Sequence, residues 1–222
     1  MTQGIFRYRS ARAALIILAI VALLALLGPW LAPHDPLAQD SSALLQGPSG
    51  PYWLGTDALG RDVFSRLLAG STVSVLASLL SVSIGLLLGV LPGLLSVFLG
   101  KRFEWISLRL IDALMMLPFL VFAIAMTAML GNGLTQAMFA VGILIAPVFF
   151  RVTRAAALSV VNAEYIEAAR LMGATTTWIL QRHVIAKVLP AITVSAASMT
   201  GVCLSIVASL RSEEHTSELQ SH

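Results

Sequence analysis

Charge is what this sequence has least of. Only 11% of its 222 residues are Asp, Glu, Lys or Arg, while 58% are hydrophobic; soluble domains carry roughly 25% charged residues. That balance excludes an ordinary soluble domain and implies a membrane protein. Cysteine is nearly absent. Cys203 stands alone in an apolar stretch, which excludes a disulfide framework and a C-x-x-C metal or redox site and reads as a small buried side chain. A phosphate-binding loop is also missing: in GLLSVFLGKR, Lys101 follows glycine without the Walker A spacing and without a Ser or Thr after it. No Ser, His and Asp cluster follows from spacing, and His34 and His183 read as scattered polar interfacial residues. The chain is therefore expected to have no catalytic, metal or cofactor site, and nothing in it points to nucleic acid.

What the sequence does have is long apolar runs. A membrane-spanning helix needs roughly 20 such residues, and five stretches qualify or nearly do: about 13–31, 73–99, 110–130, 134–150 and 189–210. The second is long enough to tilt or to begin in the interface. The fourth is short and follows Gly131-Asn132-Gly133, which reads as a tight turn between antiparallel spans. Arg7, Arg9 and Arg12 resemble the start of a signal peptide, but the length of the run and the spans after it favour an uncleaved first helix. With a cytoplasmic N-terminus, eleven of the fourteen basic residues fall inside, leaving Arg61, Arg66 and Arg211 outside. The expected architecture is all-α, a polytopic transmembrane helical bundle with an outer loop over 32–72 and an inner loop over 151–188.

Charges deep in spans mark ion-coupled transport, and here the span interiors lack them. Asp112 comes nearest, close to the inner end of the third span, where Arg109 three residues earlier is its expected partner. An external energy supply is the better expectation, with a secondary transporter or channel as the alternative because backbone carbonyls could bind sodium. In the second span Ala77, Ser81, Gly85, Gly89 and Gly93 recur every four residues, a ridge of small side chains for close helix packing. Pro92 is expected to bend its inner end. In the inner loop Asn162 is expected to cap a short helix with Glu164 and Glu167 in its early turns, and Gly173 to stop it in a left-handed conformation. Thr175 to Thr177 start a second helix, and Pro190 marks the start of the fifth span.

Glu167-Ala168-Ala169, three residues, then Gly173, with Tyr165 before and RHVIAKVLP after, resembles the EAA coupling motif of bacterial ABC importer permeases. LGTDALGRDVFSRLLAGS (residues 54–71, with Gly55, Thr56, Asp57, Gly60, Arg61 and Asp62) and SLRLIDALMMLP (residues 107–118) are similar to segments of the second permease subunit of dipeptide, oligopeptide and nickel importers. Family members commonly have proline and asparagine where this chain has Ala186 and Lys187. The resemblance covers residues 10–210. It implies an N-terminal segment (1–72) with the first helix and outer loop, then a permease core (73–210) with the coupling loop 151–188. It also implies a non-enzymatic subunit of the bacterial inner membrane, forming part of a path for peptides, nickel or a related small solute. The implied partners are a second homologous permease, two ABC ATPase subunits, an extracytoplasmic substrate-binding protein and the lipid bilayer. Glu167 to Gly173 would dock in an ATPase cleft. The outer segment would contact the binding protein or shape the outer gate, or else form an interfacial amphipathic helix anchored by Arg61, Asp62 and Arg66.

Residues 211–222, RSEEHTSELQSH, fit none of this. They contain no aromatic or β-branched aliphatic residue after an uncharged run. They also resemble, residue for residue, the in-frame translation of a common sequencing-library adapter, whereas related permeases continue into a sixth span. The expectation is five spans of six, with a non-native tail in which His215, His222, Glu213, Glu214 and Glu218 have no role, and poor transport by the chain as written. Re-reading the genomic locus across Leu210 checks it: the native frame should depart from this dodecapeptide, and a continuous native frame encoding it refutes the idea.

Overall fold

A computed structural model describes the backbone of residues 9–131 and 133–220. Arg7, Asn132 and His222 lie outside the described residues, as do the side chains from Leu210 to Gln220, and with them the expectations placed there. Among the described residues the regular elements are all helical: α1 (Arg9–Leu31), α2 (Val63–Phe98), α3 (Lys101–Met116), α4 (Phe119–Leu130), α5 (Leu134–Val161), α6 (Glu164–Leu171), α7 (Thr176–Ile179), a π-helical turn (Leu180–Val184) and α8 (Ile185–Gln220), with an irregular loop between α1 and α2. It divides into two compact units, Met1–Leu76 and Ala77–His222.

Among the described residues, four helices are long and apolar enough to cross a membrane: Arg12–Leu31, Val63–Phe98, Leu134–Val161 and Thr176–Ser209. Their limits correct the sequence reading in several places. The second begins ten residues before 73, and the fourth expected span, 134–150, runs on to Val161. The last starts at Thr176, so Pro190 stands inside α8 instead of at its start, and Ala186 and Lys187 sit in unbroken helix. At about 1.5 Å per residue, helices of 36 and 34 residues outreach a hydrocarbon core about 30 Å thick, so both extend beyond it. The expected third span, 110–130, is not one helix. Pro118 lacks an N–H and restricts Leu117, which takes an extended conformation (φ −74°, ψ 123°) and separates α3 from α4.

In the first unit α1 packs on the beginning of α2. Pro29 leaves the carbonyl of Ala25 without its helical donor, and the Thr72 hydroxyl donates to that oxygen at 2.6 Å. Ser71 donates to the neighbouring Leu24 carbonyl at 3.2 Å. Gly28 brings the backbones close, since a Cβ there would lie 2.6 Å from the Leu68 carbonyl oxygen.

In the second unit α5 lies along the small-residue ridge of α2. A Cβ on Gly85 would strike Ile145 and Phe149, one on Gly93 the Phe150 carbonyl, and one on Gly89 the Ala146 carbonyl oxygen. Ser81 donates to the Met138 carbonyl at 2.6 Å, and Ala77 joins the core formed with Val82, Met138, Val141, Ile145, Phe149, Cys203 and Val207. The contact is reciprocal: Gly142 of α5 meets Ile84 and the Ser81 carbonyl. A second core of Ala157, Val160, Ile166, Ile179, Val184 and Val188 joins α5, α6, α7, the π turn and α8.

The expected Arg109 and Asp112 pair does not form. Arg109 lies back over the Trp105 ring, 5.7 Å from its centroid, as helical side chains lean toward the N-terminus. Asp112 instead bonds Arg151 of α5 at 3.3 Å, and Glu104 one helix face away pairs with Arg154.

Gly89→Ala should destabilise the helical unit by about 1–3 kcal/mol, because the added methyl meets backbone that cannot move aside. Gly201→Ala in α8, where nothing lies within 4 Å, should leave stability unchanged or slightly raised. Thermal unfolding of both variants in one detergent checks this; equal behaviour would contradict the packing account.

Candidate functional site

Two regions carry the residues singled out by sequence: the α5–α8 connection and the loop between α1 and α2. In the connection, Asn162 does not cap the short helix. It closes α5, its N–H bonded to the Leu158 carbonyl, and Ala163 holds the N-cap position of α6 with no side-chain hydrogen bond. Glu164 and Glu167 do lie in the first turn, where the helix dipole favours carboxylates. Gly173 takes φ +88°, its N–H bonds the Arg170 carbonyl at 2.9 Å, and the Ala174 N–H bonds that of Ala169 at 3.0 Å. Those two bonds form a Schellman stop. Thr175 then caps the next helix, accepting from the Trp178 N–H at 3.3 Å.

The four motif residues do not share one environment. Glu167, Ala168 and Gly173 are exposed, but Ala169 is only 8% exposed and faces its own chain beside the fully buried Ile166. Two residues that the sequence reading passed over dominate the outer surface: Leu171 and Met172, 84% and 83% exposed. Met172, Gly173, Ala174, Thr175 and Trp178 line a shallow groove of about 400 Å³ together with Ala169. Tyr165 and Trp178 both contact the His183 ring, at centroid distances of 5.6 and 5.2 Å, joining α6 and α7 to the π turn that feeds α8. Helical spacing offers no signal for that cluster, since it depends on the turn at Gly173.

The loop between α1 and α2 is organised around Asp57 and Asp62. Asp57 accepts from the N–H groups of Leu59 and Arg61 at 2.9 and 3.0 Å, from Arg61 Nε at 2.9 Å, and from Arg66. Burial acts to raise the Asp57 pKa, but the backbone donors and Arg61 outweigh it and the net shift is downward. Asp62 is the N-cap of α2, accepting from Phe64 and Ser65 N–H groups at 3.4 and 3.1 Å and from the Ser65 hydroxyl at 2.6 Å. His34 approaches it at 3.5 Å. Burial again opposes ionisation, and the Ser65, Phe64 and His34 donors again prevail, so its pKa is lowered.

Gly55 and Gly60 both have positive φ, 78° and 71°, and a Cβ at either would strike a carbonyl, of Gln46 or Asp40. Thr56 is buried, its hydroxyl accepting from the Gln46 N–H at 2.9 Å and donating to the Ala43 carbonyl. All six motif residues therefore hold the loop's shape. No separate helix forms over 54–62: Arg61 and Asp62 belong to the turn, and Arg66 lies in the first turns of α2 with its guanidinium returned to Asp57.

A bundle of long apolar helices with a short capped helix set outside it defines an integral membrane component. Residues 52–210 match the family described as the binding-protein-dependent transport system inner membrane component, and residues 4–48 match the N-terminal TM domain of oligopeptide transport permease C. The chain belongs to this permease family. It is 39% identical over 195 residues to the probable D,D-dipeptide transport system permease protein DdpC of Escherichia coli K12, covering 88% of this chain and 65% of that one. With the nickel transport system permease protein NikC of the same strain it shares 38% over 191 residues, 84% of this chain and 68% of the other. The chain thus spans about two thirds of the length of these relatives. A crystal structure of an amino acid ABC transporter with histidines shares the fold at TM-score 0.53 and 20% identity, over 64% of this chain and 69% of that one.

Because the folded-state pKa values of Asp57 and Asp62 are depressed, their stabilisation is full above the ordinary carboxylate value of 3.8 and is lost as pH falls below it through the folded values. Limited proteolysis or hydrogen exchange in the loop should show it closed at pH 5 and opening below about pH 4. Asp57→Asn should open it at neutral pH and flatten the acid dependence. An unchanged acid profile in that variant would contradict the role of Asp57.

Proposed function

We propose that the chain is a transmembrane permease subunit of an ATP-driven, binding-protein-dependent importer in the bacterial inner membrane. In this reading it works beside a second permease and two ATPase subunits, and an extracytoplasmic binding protein supplies peptides, nickel or a related small solute. The N-terminus is cytoplasmic, and α6 faces the ATPase. ATP hydrolysis takes place on the separate subunits. The relatives' names, which speak of D,D-dipeptide and nickel transport, support the solute classes.

One observation carries the reading: α6 is an eight-residue helix held outside the spans, anchored by Ile166 on one side and open on the other. The open side presents Glu167 for a basic group, Ala168 for close approach, and Leu171 and Met172 as apolar contacts. Ala169 acts differently, by seating α6 on its own chain. Force on α6 would reach α8 through Ile166, packed with Val184 and Val188, and through the Tyr165 and His183 rings. Movement of α8 relative to the other spans would then exchange access between the two sides.

In an assembled importer reconstituted in vesicles, Gly173→Val should lower cargo uptake per ATP hydrolysed by roughly tenfold, since a β-branched residue at positive φ strains the stop by about 1–3 kcal/mol. Gly173→Asn should retain most coupling because asparagine tolerates that conformation, and Glu167→Lys should weaken it. Unchanged coupling in Gly173→Val and Glu167→Lys would sink the docking role. Uptake that persists without ATP would favour the secondary-transporter or channel alternative.

A further inference from the structure

Both acidic residues of α3 are engaged by α5, Glu104 with Arg154 and Asp112 with Arg151 at 3.3 Å. Glu104 lies on the side of the buried Ser107 and Ile111, whereas Asp112, partly exposed, borders the opposite face three residues after Arg109. The three basic residues of α3, Lys101, Arg102 and Arg109, are exposed and have no acidic partner among the described residues. Arg102, Trp105 and Arg109 follow one another at spacings of three and four, so they share one face. Trp105 is 61% exposed, and the Arg109 guanidinium lies over its ring. Ile106 and Leu110, also exposed, continue the surface on its apolar flank.

Gly100, at φ +88°, turns the chain sharply between the end of α2 and this helix. The first turns of α3 therefore begin next to the end of a membrane-spanning helix, where headgroups lie. Tryptophan with its apolar body and polar N–H suits that level, and arginine and lysine reach from it to phosphate. An apolar flank below a basic, tryptophan-bearing stripe matches the layering of a bilayer surface: acyl chain, interface, anionic headgroup. A protein partner would need acidic groups placed opposite three exposed cations, whereas an anionic headgroup supplies the countercharge without fixed geometry.

We propose that the exposed face of α3 binds anionic phospholipid headgroups through Lys101, Arg102 and Arg109, with Trp105 seated at the interface. Engagement of Glu104 and Asp112 by α5 is what leaves this face uncompensated, so the lipid site depends on the α3–α5 packing. The inference rests on the chain residing in a membrane and is independent of ATPase docking at α6.

The test uses the full chain in phosphatidylcholine vesicles containing matched amounts of either brominated phosphatidylglycerol or brominated phosphatidylcholine. The Trp105 contribution is the fluorescence difference between the chain and Trp105→Phe. Brominated phosphatidylglycerol should quench that contribution more strongly, corresponding to roughly fivefold enrichment or more at this face, and raised ionic strength should reduce the preference. The Lys101→Gln, Arg102→Gln, Arg109→Gln triple variant should lose it, while Arg102→Lys with Arg109→Lys should keep it, separating charge from folding. Equal quenching by the two lipids, or a preference surviving in the triple variant, overturns the proposal. Absence of quenching by either lipid also overturns it, placing protein on this face instead.

Discussion

Two helices in hydrocarbon gain little by hiding leucine from each other, because the lipid tails they displace are equally apolar. What they can gain is contact, and contact requires that backbones approach. In the unit Ala77–His222 this approach occurs at Gly85, Gly89 and Gly93, where Ala146, Phe149, Phe150 and Thr153 of α5 occupy the volume that side chains on α2 would fill. The second core follows from the same contact. Once α5 is fixed on α2, its final turns present Ala157 and Val160, and on these rest Ile166 of α6, Ile179 of α7 and Val188 of α8. The position of the exposed α6 is thus set by helix packing that begins at Gly85, far earlier in the chain.

Backbone polarity is the second constraint, and prolines make it visible. Pro29 frees the Ala25 carbonyl and Thr72 bonds it, so a helix interrupted in the apolar region leaves no open acceptor there. Pro118 acts at the other extreme, ending α3 altogether. Outside the spans, the same accounting is handled by Asp57 and Asp62, which gather the N–H groups of a tight loop and the first turn of α2. Their ionised form is favoured because so many donors converge, despite burial.

Legibility differed between motif types. The Gly173 stop and the Thr175 cap could be read directly, since each depends on a few adjacent residues and one backbone conformation. Asn162 could not: it has the right side chain for a cap, but α5 extends to Val161 and uses it as an ending. Arg109 and Asp112 had helical spacing for a pair, yet α5 offered Asp112 a better-placed cation in Arg151 and left Arg109 to Trp105. Leu171 and Met172 look like ordinary apolar residues in sequence. Only the turn at Gly173 shows that α6 ends with them pointing away from its own core.

Composition, hydropathy and spacing by themselves determined that the chain is a helical membrane protein and where small residues allow helices to meet. These are consequences of local chemistry: apolar length, absence of charge and the conformational freedom of glycine. Tertiary structure decided where the long helices begin and end, that 110–130 is two helices, which charges pair, and which of Glu167, Ala168 and Ala169 face outward. Those outcomes depend on competition among partners distant in sequence, and a residue's neighbours along the chain do not reveal which distant group packs against it.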